Sequence, residues 1–155
     1  MNTIKSVLIA NRGEIAIRIS KTLNEMGIEA YGVYSKDDRS STHLSYCSKV
    51  FELSGIGPSA YLNMDEILSI TKNNKIGAIH PGYGFLSENQ SFASACLENQ
   101  IVFIGPNEKI LKTFGDKEKA KKLAQKLDLP TCLSVGPIEK KSDIQSFFKK
   151  IKKNK

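Results

Sequence analysis

Apolar residues fall along this chain in short runs that alternate with helical stripes. Ser6 to Ala10 has the composition of a buried strand, and between Glu14 and Met26 the residues Ile15, Ile19, Leu23 and Met26 recur on one side of a helix. Gly27 suits the left-handed residue that ends such a helix. Glu29 to Ser35 reads as a second strand and Val50 to Leu53 as a short third. Helical periodicity returns over Ala60 to Lys72, followed by a strand at Ile76 to Ile79, a helix at Phe92 to Gln100, a strand at Val102 to Ile104 and a helix from Asn107 through Phe114. The alternation predicts an α/β fold: an open parallel sheet with helices on both faces. From Asp116 the rhythm changes, and two lysine-rich helical segments flank Pro130 and Gly136-Pro137. The boundary is expected near residue 115, dividing the chain into 1–115 and 116–155.

The segment His80-Pro81-Gly82-Tyr83-Gly84-Phe85-Leu86-Ser87-Glu88-Asn89 leaves the carboxyl end of a predicted strand. Open α/β sheets bind ligands there. Gly82 and Gly84 permit positive φ or close approach of a ligand, and Pro81 holds His80 extended. The alternative is a structural loop with exposed polar residues. His80 is expected to be a structural hydrogen-bonding residue, and His43 a surface helix residue.

The first strand-to-helix turn, Asn11-Arg12-Gly13-Glu14, has one glycine where a dinucleotide fingerprint has three, and Glu14 would repel a pyrophosphate at the helix start. That argues against NAD binding. Asn11 and Glu14 have the spacing of a capping box, while Arg12 and Arg18 have no structural role that spacing explains. Asp116 is placed to cap a helix beginning at Lys117. A lysine at that position is mildly unfavourable unless an anion such as phosphate offsets it; the alternative is one more surface lysine beside Lys119, Lys121 and Lys122.

Charge sharpens the division. The 155 residues carry a net charge of +7, but residues 1–116 hold eleven Lys and Arg against twelve Asp and Glu. The excess lies in 117–126, where no aromatics interleave the lysines, and in 140–155; helical lysines usually form a solvated face, so nucleic acid is not expected as a partner. Cys47, Cys96 and Cys132 show neither zinc nor disulfide spacing and read as reduced thiols of a cytoplasmic protein. No apolar run is long enough for a signal-peptide core or a membrane span. No Ser-His-Asp or Cys-His arrangement emerges, and no residue is assigned as catalytic or metal-binding.

The 80–89 segment together with Ile9-Ala10-Asn11-Arg12-Gly13-Glu14-Ile15-Ala16-Ile17-Arg18 closely resembles the N-terminal domain of biotin carboxylase, the module that opens biotin-dependent acyl-CoA, pyruvate and urea carboxylases. Ser59-Ala60-Tyr61-Leu62-Asn63, Phe103-Ile104-Gly105-Pro106 and Gly115-Asp116-Lys117 add matches in order, and the likeness spans about residues 4–138. Phe114 stands where the family usually has methionine. The resemblance implies a Rossmann-like pre-ATP-grasp domain followed by the truncated start of an ATP-grasp portion.

By that resemblance Tyr83, Gly84 and Glu88 border the biotin and bicarbonate side of the site, with Tyr83 beside the ureido ring. Glu88 has a second reading, as a cap for the helix beginning near Ser91. Asn11, Arg12 and Gly13 form a turn facing the cleft, and Lys117 contacts ATP. The family's reaction is carboxylation of biotin with ATP, magnesium and bicarbonate, through carboxyphosphate. Its metal-binding carboxylates and main nucleotide cleft lie beyond this chain, so no cofactor is expected to bind the fragment tightly. The implied partners are the ATP-grasp portion, the biotin carboxyl carrier protein and a second subunit docked along the first helix near Lys21 and Glu25; the family often has arginine where Lys21 stands. Two functions of different class result: a partial enzyme inactive alone, or a free-standing binding module that keeps the fold without catalysis.

Overall fold

A computed structural model of the chain describes residues 3–134 and 138–153, so Gly136-Pro137 lie outside the described residues. The chain forms two compact units, Met1–Lys112 and Thr113–Lys155. The first is a five-stranded sheet in the order β3-β2-β1-β4-β5. Its strands are β1 (Ser6–Ile9), β2 (Glu29–Tyr34), β3 (Lys49–Glu52), β4 (Ala78–His80) and β5 (Val102–Phe103), all paired in parallel. Val7 of the central β1 stands opposite Ala30 on one side and Ala78 on the other.

Period-two alternation along β1 divides the core. Leu8 points to one face, where it joins Val33 and Ile79 of the neighbouring strands, Tyr61, Ile67 of α2 (Met64–Asn73) and Phe92 of α3 (Gln90–Glu98). Val7 and Ile9 point to the other, against Ala16, Ile19 and Leu23 of α1 (Gly13–Glu25). The two faces differ in cover. Helices α2 and α3 lie on the first, whereas α1 and the 3-10 turn Thr42–Tyr46 pack over β1 and β2 on the second.

Helix α1 ends as its sequence predicts. Gly27 has φ of +69°, and the bonds from its amide to the Asn24 carbonyl and from the Ile28 amide to the Leu23 carbonyl close a Schellman motif. The expected helix over Ala60 to Lys72 is a correction. Residues Gly57–Leu62 instead make a 3-10 turn with Pro58 in its first turn, and α2 begins at Met64. Asn63 decides the boundary, because its side-chain oxygen accepts from the Glu66 amide and its amide nitrogen donates to the Glu66 carboxylate.

His43 is likewise not a surface residue. It is fully buried, with Nε2 at 3.2 Å from the Val33 carbonyl and Nδ1 without a partner. The 3-10 turn folds it under β2, an outcome that its polar neighbours Ser41 and Thr42 hide in the sequence.

The first unit closes with the start of α4 (Glu108–Phe114). The second carries α5 (Lys117–Lys126) and α6 (Lys141–Lys153), and none of its described residues is buried.

Candidate functional site

The loops after β1, β2 and β4 meet at the carboxyl edge of the sheet, where a side chain from each can reach the others. Asn11 is the tie between them. Only 3 % exposed, it donates from Nδ2 to the carbonyls of Pro81 at 2.7 Å and Tyr83 at 2.9 Å. Its Oδ1 accepts from the Arg12 amide. The capping box expected of Asn11 and Glu14 is therefore not formed: the residue before the helix is Arg12, in extended conformation and without a side-chain cap. The Asn11 amide is spent across the sheet, on a loop about seventy residues away, rather than on its own helix.

That clamp dictates the glycine at position 82. Gly82 has φ of +68°, and a Cβ there would sit 2.5 Å from Asn11 Nδ2, so only glycine fits beneath the asparagine. Gly84 also has positive φ, +66°, but nothing lies within 4 Å of the position its Cβ would take. Its open surface leaves room for a ligand to approach the backbone. His80 holds the same turn from below, with Nδ1 accepting from the Gly82 amide at 3.0 Å. Burial pushes its pKa below the ordinary value, which favours the neutral ring, and the Gly82 amide selects the tautomer whose Nδ1 can accept. The structural hydrogen-bonding role expected of His80 is the one observed.

Under the loop lies a polar cluster that the sequence did not reveal. Arg12 Nη1 donates to Asp38 Oδ2 at 2.9 Å, and the Tyr61 hydroxyl donates to the same oxygen at 2.8 Å. Ser35 Oγ donates to it at 3.3 Å, while the Ser35 amide donates to the Tyr61 hydroxyl. Burial alone would raise the Asp38 carboxyl, but the hydrogen bonds from Arg12 and Tyr61 outweigh it and hold the pKa below the usual carboxylate value. The Tyr61 phenol, desolvated and bonded to a carboxylate, is pushed up to about 12.

Arg12 also lies over the Tyr61 ring at 5.7 Å, and the other partner of that ring is Phe85, stacked at 5.0 Å and 20°. Phe85 has φ of +40°, an uncommon conformation for a bulky residue, which the stack helps to hold. Asp38 and Tyr61 escape a sequence reading because no local spacing connects positions 12, 38, 61 and 85. The only hint was the acidic pair Asp37-Asp38 directly after a strand.

The structure brings Asn11, Arg12, Gly13, Tyr83 and Gly84 to one edge. Tyr83 is 66 % exposed, its carbonyl held by Asn11 and its ring presented outward. Glu88 is exposed on the same loop. It does not cap α3, since Asn89 does so by accepting from the Phe92 amide at 2.9 Å. Lys117 opens α5 in the second unit, behind Asp116, whose carboxylate accepts from the Glu118 and Lys119 amides as expected. Lys117 itself is exposed, whereas Lys119 pairs with Asp116 at 3.0 Å. Among the described residues there is no cluster of His, Cys, Asp and Glu that could hold a metal ion, and no helix long and apolar enough to cross a membrane.

A five-stranded parallel sheet with helices on its faces and three loops meeting at its carboxyl edge places the chain in the open α/β class. Residues 3–111 match the family described as biotin carboxylase, N-terminal domain, and the chain belongs to that family. It is 47 % identical over 149 residues to a pyruvate carboxylase of Bacillus subtilis, covering 94 % of this chain and 13 % of that protein. It is 42 % identical over 130 residues to the mitochondrial methylcrotonoyl-CoA carboxylase subunit alpha of Mus musculus, covering 83 % of this chain and 18 % of that one. A biotin carboxylase domain of a single-chain bacterial carboxylase superposes with a TM-score of 0.91 at 38 % identity, over 95 % of this chain and 34 % of that one. The Hydrogenobacter thermophilus 2-oxoglutarate carboxylase domain, solved as a dimer with MgADP, ADP and bicarbonate, gives 0.91 at 34 % identity over 97 % and 34 %. The chain thus spans about a third of those domains and about an eighth of the pyruvate carboxylase.

Proposed function

We propose that this chain is the N-terminal portion of a biotin carboxylase and supplies one wall of the site where biotin is carboxylated with ATP and bicarbonate. The Asn11 clamp carries this reading: it fuses the two stretches of sequence that resemble the family into a single rigid edge. On that edge Tyr83 lays its ring against the ureido group of biotin, Gly84 lets the ligand approach the backbone, and Glu88 borders the bicarbonate. Arg12, fixed by Asp38 and Tyr61, turns its remaining N–H groups toward the cleft. Lys117 contacts ATP from the start of α5. The domain boundary near residue 115 separates the sheet from the beginning of the ATP-grasp portion. The remaining partners are that portion, the biotin carboxyl carrier protein and a second carboxylase subunit along α1, in the cytoplasm.

Magnesium does not fit the described residues, since no carboxylate cluster is present to hold it. ATP finds one lysine and one helix terminus, worth about 1–3 kcal/mol of charge-assisted contact. Association costs at least about 4 kcal/mol, so the chain alone does not retain the nucleotide. The purified chain should turn over no ATP in the presence of biotin and bicarbonate. Adding the downstream portion of a related carboxylase should restore turnover, with Tyr83→Ala raising the KM for biotin and Lys117→Ala the KM for ATP. Turnover by the chain alone would refute the assignment. A reassembled pair indifferent to both substitutions would refute the roles given to Tyr83 and Lys117, whereas no turnover with the downstream portion present would favour the free-standing binding module.

A further inference from the structure

The turn that carries Tyr83 and Gly84 holds its shape against the preference of its own sequence. Gly84 and Phe85 both have positive φ, +66° and +40°. Glycine adopts that conformation freely, whereas a bulky residue does so only where its surroundings impose it. Phe85 is the first central residue of a turn closed by the Ser87 amide on the Gly84 carbonyl at 2.9 Å. Backbone strain of this kind persists only where packing over-determines it, and it gathers at ligand-binding edges. The imposing contact is the Tyr61 ring, stacked on the Phe85 ring at 5.0 Å. Tyr61 is fully buried, and its hydroxyl is fixed twice, donating to Asp38 and accepting from the Ser35 amide.

Resting on the carboxylase reading above, we infer that Tyr61 is a positioning residue for the proposed biotin surface: its ring holds Phe85 left-handed, and that conformation fixes where Tyr83 and Gly84 stand. The Asn11 clamp ends at the Tyr83 carbonyl, and Leu86 enters the core on the far side of the turn. Between these anchors, the sign of φ at residue 85 decides which way the Gly84–Phe85 peptide unit faces. Reverting Phe85 to negative φ would rotate that unit, break the bond from Ser87 and carry the exposed Gly84 out of place. Displacements of this size are costly where a ligand must be held at a set distance from the reacting group. The bond to Asp38 orients the Tyr61 ring, but the stack carries the effect to the turn, so ring and hydroxyl can be separated by substitution.

The test measures amide hydrogen exchange by NMR in the full 155-residue chain. The Ser87 amide reports closure of the turn, and the Ile104 amide, bonded to the Ile79 carbonyl, reports the sheet. Tyr61→Leu and Phe85→Leu should each speed exchange at Ser87 at least about tenfold more than at Ile104. Tyr61→Phe and Phe85→Tyr keep the stack and should exchange as the parent does. Phe85 is half-buried, so Phe85→Leu serves alone if the cavity left by Tyr61→Leu prevents folding. Equal acceleration at both amides, or none at Ser87, overturns the inference, because the rings then do no more than fill the core. In pairs reassembled with the downstream portion of a related carboxylase, the leucine variants should raise the KM for biotin at least about fivefold and leave that for ATP within about twofold. Phe85→Tyr should keep both at the parent values. Turnover whose biotin KM ignores the leucine variants, or whose two KM values rise together, overturns the inference and leaves the proposed function standing. Local loss of Ser87 protection, in a chain whose reassembled pairs turn over no ATP, refutes the proposed function and leaves Tyr61 in control of the turn.

Discussion

Asn11 shows how one amide can organise a site built from distant segments. Its two donated bonds satisfy carbonyls that would otherwise be left without partners, and burial makes their loss expensive. Asn11→Ala should therefore destabilise the first unit by about 2–3 kcal/mol, read from the urea midpoint at unchanged slope. Asn11→Asp should be at least as costly, because a carboxylate would face two carbonyl oxygens. Gly82→Ala adds a side chain 2.5 Å from the same amide, and its cost should shrink when combined with Asn11→Ala, which removes the obstacle. Additive effects in that double-mutant cycle would contradict the clamp. The glycines were legible in the sequence because turns at strand ends select them. The asparagine was misread as a helix cap because capping is local and its true partners are not. Arg12 was singled out correctly for having no local explanation, yet its partner Asp38 could be identified only once β2 had been laid beside β1.

At the scale of elements, acid sensitivity should concentrate in the β4 exit. His80 has a depressed pKa in the folded chain and an ordinary one, near 6.5, when unfolded. As pH falls through the unfolded value, the unfolded state takes up the proton first, so stability decreases until the folded pKa is also passed. The melting temperature should be flat above about pH 7 and decline below about pH 6.5. His80→Asn should remove most of that slope, and a slope unchanged by the substitution would place its origin elsewhere. Asp38, whose folded pKa is lowered, adds stability above the ordinary carboxylate range that is lost only at more acid pH.

Helix ends offer a second check. Gln100 follows α3 with φ of +59°, where glycine is the favoured residue, so Gln100→Gly should stabilise by up to about 1 kcal/mol. The alternation that set strands and helices in order was legible because periodicity is repeated over many residues. The start of α2 was not, since Pro58 and Asn63 act at single positions and the apolar stripe continues past them.

Across the whole molecule, the two units differ in how their apolar residues are used. The first buries two clusters on opposite faces of one sheet, whereas the second leaves Ile144 at 40 % and Phe148 at 58 % exposure on α6. A helix whose apolar stripe stays this exposed has little beyond its own hydrogen bonds to resist opening, and isolated helices of that length are marginal in water. Lysines crowd the same segment: residues 140–155 hold seven, against one aspartate. Exposed, weakly held and rich in cleavage sites, this stretch should be the first that trypsin attacks. Limited digestion followed by mass spectrometry should show cuts after lysines beyond residue 139 before any within 1–115. The product should keep the thermal transition of the intact chain, because the sheet and both of its clusters lie in the first unit. Early cleavage at Lys72 or Lys75 with residues 140–155 protected would mean that the stability of the molecule resides elsewhere than in its sheet.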